Sequence, residues 1–234
     1  MKGCIIFLGE SFRLGGQNNR NIGSDESYEA QIIACKSHFT FIKYIEEKCK
    51  IDVCVSTYNT KFNDNLLDVY GNYIIRSDFY NNRMGTRALL YNTIKNLDTS
   101  VYDFILLSRI DICFKEQFNT VYNAYWDTIR FASICFTVNN SHKCGIYPRV
   151  NPILIHIPKK YYKYIEHLDI STHDIWAYLI VNTDIETKDL DTMLPTYHDS
   201  DSFKDWNPIY YIVNREQCQV YKSPGELFNK NNFN

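Results

Sequence analysis

Four short, nearly continuous apolar runs punctuate the first half of the chain: residues 3–8 (GCIIFL), 51–56 (IDVCVS), 72–76 (NYIIR) and 103–110 (DFILLSRI). Buried strands of a parallel sheet read this way, because both of their faces are covered and no polar alternation survives. Between the first two runs, Tyr28, Ile32, Cys35, Phe39, Ile42 and Ile45 recur three or four residues apart. This spacing predicts a helix over about 26–48, with Ser24 or Asp25 available as its cap. A second helical pattern covers about 82–97, with Met84, Ala88, Tyr91 and Ile94 on one face. Strand–helix–strand alternation predicts an α/β domain with a mainly parallel central sheet flanked by helices.

Beyond the fourth run the pattern changes. Residues 129–137 and 152–157 read as further strands joined by a polar loop. Helical patterns follow at 158–168 and about 172–182, then a polar stretch at 195–208 and a last strand at 209–214. No Gly/Ser-rich or Pro-rich linker divides the chain. One domain over 1–222 is therefore expected, in two halves (about 1–115 and about 116–222), with a polar tail at 223–234.

Charge narrows the partners. Twenty-five Lys and Arg against 27 Asp and Glu leave a formal charge of −2, without the basic surplus that phosphate neutralisation on nucleic acid needs. No apolar run approaches the ~20 residues that span a bilayer. The opening run ends at Gly9, too short for a secretory h-region of roughly 7–15 residues. The eight cysteines include no CxxC pair, and Cys4, Cys54, Cys113 and Cys135 sit in apolar runs as small core hydrophobes. A reducing, cytoplasmic setting is the expectation.

The segment Tyr102–Phe114, YDFILLSRIDICF, concentrates the chemistry. It is a long apolar strand closing in Ser108-Arg109-Ile110-Asp111. In open α/β sheets ligands bind beyond the carboxyl ends of strands, where strand order reverses. Arg109 and Asp111 are two apart, so on one strand they share a face. Arg109 can meet phosphate oxygens, and Asp111 can bind Mg²⁺ or Mn²⁺ against a diphosphate. The alternative is an Arg–Asp ion pair that closes the strand end.

An acidic motif closing a strand after about 100 residues of β/α alternation resembles the nucleotide-sugar glycosyltransferases of the GT-A fold, a Rossmann-like α/β fold. Residues 102–114 are similar to a variant, YDFILRxRxDI.F, found in members encoded by large DNA viruses and bacterial polysaccharide clusters. The resemblance spans roughly residues 1–215. It implies a transferase for a hexosyl or pentosyl group, moving it from a nucleotide-diphosphate sugar, with UDP favoured, to a glycan or glycoprotein hydroxyl. It also implies Mn²⁺ or Mg²⁺ as cofactor. Arg109 stands where the usual Asp-x-Asp signature has its first Asp.

Other candidates are placed around this motif. The loop Gly9–Gly16 is neither GxGxxG nor GxxxxGK[ST], yet its amides with Arg13 can cradle phosphate. Thr57 ends the second strand, within reach of a nucleobase or ribose. Arg83 and Arg87 are four apart and would share a helical face toward the diphosphate. Asp174, in the helix opening His173-Asp174, is either a first-turn helix acid or the general base for an acceptor hydroxyl. In the loop after Tyr197, His198 is a candidate metal or phosphate ligand. Asp199, Asp201 and Trp206 are candidates for the sugar or acceptor. Tyr147 and Trp176 could stack on sugar rings, although most aromatics must be core. His38, His142, His156 and His167 show no ligand spacing and are read as structural. The rival readings are a non-catalytic glycan- or nucleotide-binding module of a larger protein, and another α/β enzyme such as a nucleotidyl- or methyltransferase.

Overall fold

The computed structural model describes residues 1–15, 21–135, 150, 153–167, 175–197 and 208–213. The chain begins with β1 (Lys2–Gly9), a short hairpin of β2 (Arg13–Leu14) and β3 (Asn21–Ile22), and α1 (Tyr28–Glu46). It continues through β4 (Lys50–Tyr58), α2 (Asn63–Tyr70), β5 (Ile74–Tyr80), α3 (Thr86–Lys95), β6 (Phe104–Arg109), β7 (Ile112–Phe114) and α4 (Glu116–Val121). The second half supplies β8 (Ile129–Cys135), β9 (Leu154–Pro158), a 3-10 segment at Lys159–His167, α5 (Ile175–Asn182), β10 (Leu190–Tyr197) and β11 (Tyr210–Ile212).

Seven strands form the central sheet in the order β10-β8-β9-β6-β1-β4-β5. The pairs β1–β4, β1–β6, β4–β5 and β8–β10 are parallel, and β9 alone runs against its neighbours β6 and β8. The sheet is thus mainly parallel, as the uninterrupted apolar runs require. From β1 the chain builds outward to β4 and β5, then crosses back to lay β6 on the other side of β1. Strand order reverses there, so the loops leaving β1 and β6 diverge and open a crevice.

Both faces of the sheet are covered. Ile5, Phe7, Val53, Val55 and Leu106 pack against Phe41, Ile42 and Ile45 of α1, Leu66 and Tyr70 of α2, and Phe118 of α4. Cys4, Ile6, Leu8, Cys54, Ile105 and Leu107 pack on the other face against Leu89 and Leu90 of α3, the 3-10 segment and Leu179 of α5. Cys4, Cys54 and Cys113 are free and buried, in the core role expected of them, and Cys35 and Cys49 are free and buried as well. Among the described residues no helix is long and apolar enough to cross a membrane.

The close approach of β6 to β1 demands a glycine. A Cβ added at Gly3 would lie 2.1 Å from Phe104 Cζ. That ring cannot retreat, being stacked on His156 at 5.3 Å and packed against Tyr122. Gly3→Ala is therefore expected to cost about 1–3 kcal/mol by overpacking, read as a lower urea midpoint at unchanged m-value.

Local pattern and structure part in several places. The run at 72–76 enters its strand later, as β5, because Gly71–Tyr73 form a 3-10 turn. The helix expected from about 82 begins at Thr86, after Gly85. The helical pattern at 158–168 is wound as 3-10. The last strand lies outside the main sheet, antiparallel to β7.

Candidate active site

The strongest sequence candidates meet at the carboxyl edge of the sheet, beside the switch point. Strand β6 ends at Arg109, and the turn Ile110–Asp111 carries the chain into β7. Arg109 grips Asp111 as a fork: Nε donates to Oδ1 at 2.8 Å and Nη2 donates to Oδ2. The pair is unequal in exposure, with the Arg109 side chain 21% exposed and that of Asp111 3%. Nε and Nη2 spend one N–H each on the carboxylate. The three remaining N–H groups of the guanidinium have no protein partner among the described residues.

The backbone of this turn is held at almost every polar atom. Arg109 N–H donates to Ile153 O at 3.0 Å, and Ile110 N–H to Leu8 O at 2.9 Å. Ile110 O accepts from Gln31 Nε2 at 2.8 Å, and Asp111 O from Val213 N–H at 2.9 Å. One residue further on, Ile112 O accepts from His38 Nε2 at 2.6 Å. A turn restrained from β1, α1 and the segment after β11 cannot swing its side chains at little cost, which is the condition for a preorganised electrostatic site.

Gln31 also links this turn to the loop after β1, accepting from Phe12 N–H at 3.0 Å while it donates to Ile110. Phe12 takes φ of +50°, an uncommon conformation for a bulky residue. Its buried ring, packed against Tyr28 and Phe62, offsets that strain. One buried amide thereby couples the two loops that border the crevice. Sequence reasoning passed over Gln31 because a lone Gln on an amphipathic helix has no local signature; its burial in the apolar stripe with Ile32 and Cys35 is the available signal.

His38 is fully buried, stacked on Phe7 at 4.2 Å, and its Nδ1 accepts from Tyr70 Oη at 2.8 Å. Burial pushes its pKa down to about 3, partly opposed by the bond to Ile112 O and by the charge of Asp111. His156 sits in β9 between Tyr122 Oη, at 2.9 Å, and Trp126 O, at 3.2 Å. Burial lowers it to about 4. Both are neutral structural histidines, as the absence of ligand spacing implied.

The remaining candidates distribute as follows. Arg13 is buried, with Nη1 2.8 Å from Glu10 Oε2 and Nε donating to Gly15 O at 3.2 Å. It therefore stiffens the first loop. Thr57, also buried, donates to Gly9 O at 2.7 Å, accepts from Ser11 N–H at 3.1 Å and shares a hydrogen bond with Ser11 Oγ at 2.9 Å. It clips the same loop to the end of β4. Arg83 and Arg87 are exposed beyond the carboxyl end of β5. Arg83 precedes α3 and Arg87 lies in its first turn, so they do not share a helical face. Trp176 is a core residue packed on Phe131 at 5.9 Å. Asp174, His198, Asp199, Asp201, Trp206 and Tyr147 lie outside the described residues.

The divalent ion implied by the resemblance meets a poor donor set. Mg²⁺ and Mn²⁺ need oxygen ligands with lone pairs turned toward the ion. Both oxygens of Asp111 face the Arg109 guanidinium instead. Among the described residues no three His, Cys, Asp or Glu side chains are grouped to hold a metal. Two open hollows, of about 540 Å³ beside Lys2, Cys49 and Asp103 and about 480 Å³ beside Asp25, Tyr28 and Phe62, touch neither Arg109 nor Asp111.

Scanning the sequence against models of known families gives no match, and neither does comparison with curated protein sequences. Solved structures do match. A protein provisionally described as a nucleotide-diphospho-sugar transferase, from Desulfovibrio desulfuricans G20, aligns with TM-score 0.51 at 12% identity, over 84% of this chain and 81% of that one. Below the level at which a shared fold is argued stand two others. Drosophila β1,4-galactosyltransferase 7, as a mutant complexed with manganese, UDP-Gal and xylobiose, gives 0.47 at 8% identity, over 97% and 79%. The galactosyltransferase LgtC with donor and acceptor sugar analogs gives 0.42 at 10%, over 82% and 73%. The chain has a GT-A-like α/β fold, the fold of that nucleotide-diphospho-sugar transferase.

Proposed function

We propose that this protein is a glycosyltransferase that moves a hexosyl or pentosyl group from a nucleotide-diphosphate sugar, UDP-sugars being favoured, to a hydroxyl of a glycan or glycoprotein. The observation that supports this reading is the Arg109–Asp111 fork, fixed by its backbone at the carboxyl edge beside the switch point. Breaking a glycosyl–phosphate bond leaves negative charge on the departing diphosphate. A fixed cation there stabilises the transition state more than the ground state, and stabilisation of this kind raises the rate.

In this reading Arg109 meets the diphosphate, with Arg83, in the loop after β5, and Arg87, in the first turn of α3, adding positive charge. Arg13 and Thr57 keep the first loop in the shape that presents its amides to the donor. Asp174, next to the first residue of α5, takes the proton from the acceptor hydroxyl. Asp199, Asp201 and Trp206 contact the sugar or acceptor.

The test is a melting screen against UDP, GDP, CDP and ADP, followed by hydrolysis and transfer assays on a panel of nucleotide sugars. A ligand at about a hundred times its Kd adds about 2.7 kcal/mol, which for a chain of this size raises Tm by roughly 5–10 °C. One nucleoside diphosphate giving such a shift, with turnover of the matching sugar, is the expected result. No shift with any of the four would sink the proposal. Binding without turnover on any donor would move the assignment to the non-catalytic module.

A further inference from the structure

We infer that the cation facing the donor's diphosphate is the Arg109 guanidinium itself, that Asp111 is its positioning residue, and that donor binding needs no divalent metal. The inference rests on the glycosyltransferase reading and specifies the chemistry of its donor site.

Three features converge on it. The first is occupancy of the carboxylate. Each Asp111 oxygen already accepts from Arg109, and an ion on its other lone pairs would stand beside a guanidinium that repels it. The second is the state of the guanidinium. Arg109 has five N–H donors in a rigid plane, and the carboxylate takes two from one edge. The side chain keeps 21% of its surface at the end of β6. The carboxylate fixes the plane while the other donors stay available, a geometry suited to phosphate oxygens. The third is the frame. Bonds from Leu8, Ile153, Gln31 and Val213 hold the turn, so the guanidinium stands in one place before any ligand arrives. An arginine set in this way supplies the positive charge that a bound ion would otherwise bring to the leaving group.

The experiment uses the full chain, stripped with EDTA, and titrates UDP, GDP, CDP and ADP by calorimetry in excess EDTA and again in Mn²⁺ or Mg²⁺. The expected result is a nucleoside diphosphate whose Kd changes by less than about threefold between the two conditions. Arg109→Lys keeps the charge and loses the fork, and should weaken that Kd by roughly tenfold in EDTA. Asp111→Asn should weaken the diphosphate while leaving the Kd of the parent nucleoside unchanged. A merely structural role for Asp111 would weaken both equally, and that outcome would overturn its assignment as a positioning residue. Binding that appears only with metal, or strengthens more than about tenfold with it, overturns the inference and leaves the glycosyltransferase reading intact. Absence of binding by all four nucleotides in both conditions overturns the reading itself.

Discussion

Arg109→Ala should destabilise the fold by about 3–5 kcal/mol, and Asp111→Ala by distinctly less, about 1–2 kcal/mol. The two substitutions break the same fork, yet they leave different groups behind. Removing the guanidinium takes the forked cation from a carboxylate that is 3% exposed and has little access to water. Removing the carboxylate leaves a guanidinium with 21% of its side chain at the surface, which can rehydrate. Desolvation of the remaining charge, more than the strength of the pair, decides the loss. A double replacement by apolar residues should recover part of the Arg109→Ala deficit, since the charge left in the interior is then removed as well. Urea unfolding at neutral pH measures all three. Equal losses for the two single variants, or the larger loss in Asp111→Ala, would show that Asp111 is not the desolvated partner.

Acid should begin to destabilise the protein below about pH 6.5, before its carboxylates titrate. His38 and His156 are fully buried and held neutral, with pKa values near 3 and near 4 against an ordinary 6.5. The folded state therefore refuses protons that the unfolded chain accepts below pH 6.5. Stability from these two groups is complete above that pH and is lost as pH falls toward 4 and then 3. Each contributes a slope of roughly 1.4 kcal/mol per pH unit, so at pH 4.5 the two together cost about 5 kcal/mol. That is comparable with the whole stability of an ordinary domain, about 5–15 kcal/mol. Urea midpoints taken from pH 7 to 4.5 should fall steeply, with uptake of about two protons on unfolding. In His156→Phe the uptake should drop by about one proton. A wild-type profile flat across this interval would mean that the two imidazoles are not held neutral by burial.

The elements that sequence periodicity located are those whose pattern is strong and local. β1, β4, β6 and α1 each carry a complete apolar stripe or run, and each appears close to where its residues place it. α2 was not anticipated because Asn63-Asp64-Asn65 and Asp68 leave a short helix with little apolar face. β10 was missed because Asp191, Thr192, Pro195 and Thr196 interrupt its apolar residues, and it forms only where β8 offers a partner. The antiparallel insertion of β9 between β6 and β8 leaves no local trace, since an apolar pentapeptide reads the same in either direction.

The same division runs through the candidate site. An apolar run that leads into an Arg and an Asp two residues apart is a fact of the sequence, but the expectation that both sit on one strand and share its face is corrected: β6 ends at Arg109 and Asp111 lies in the turn that follows. Whether they turn toward a ligand or toward each other is decided by burial. The sheet and the segment after β11 close over Asp111, and a desolvated carboxylate takes the nearest cation. Gln31 lies 79 residues from Ile110 and touches it only because α1 folds back on the sheet. His38 becomes an acid-sensitive group for the same reason. Residue order determined β1, β4, β6 and α1 and the pairing of charge types, because these follow from short-range periodicity. Strand order, the direction of β9 and the capture of Asp111 by Arg109 were decided by the tertiary structure, because desolvation and long-range hydrogen bonding exist only once distant segments share one interior.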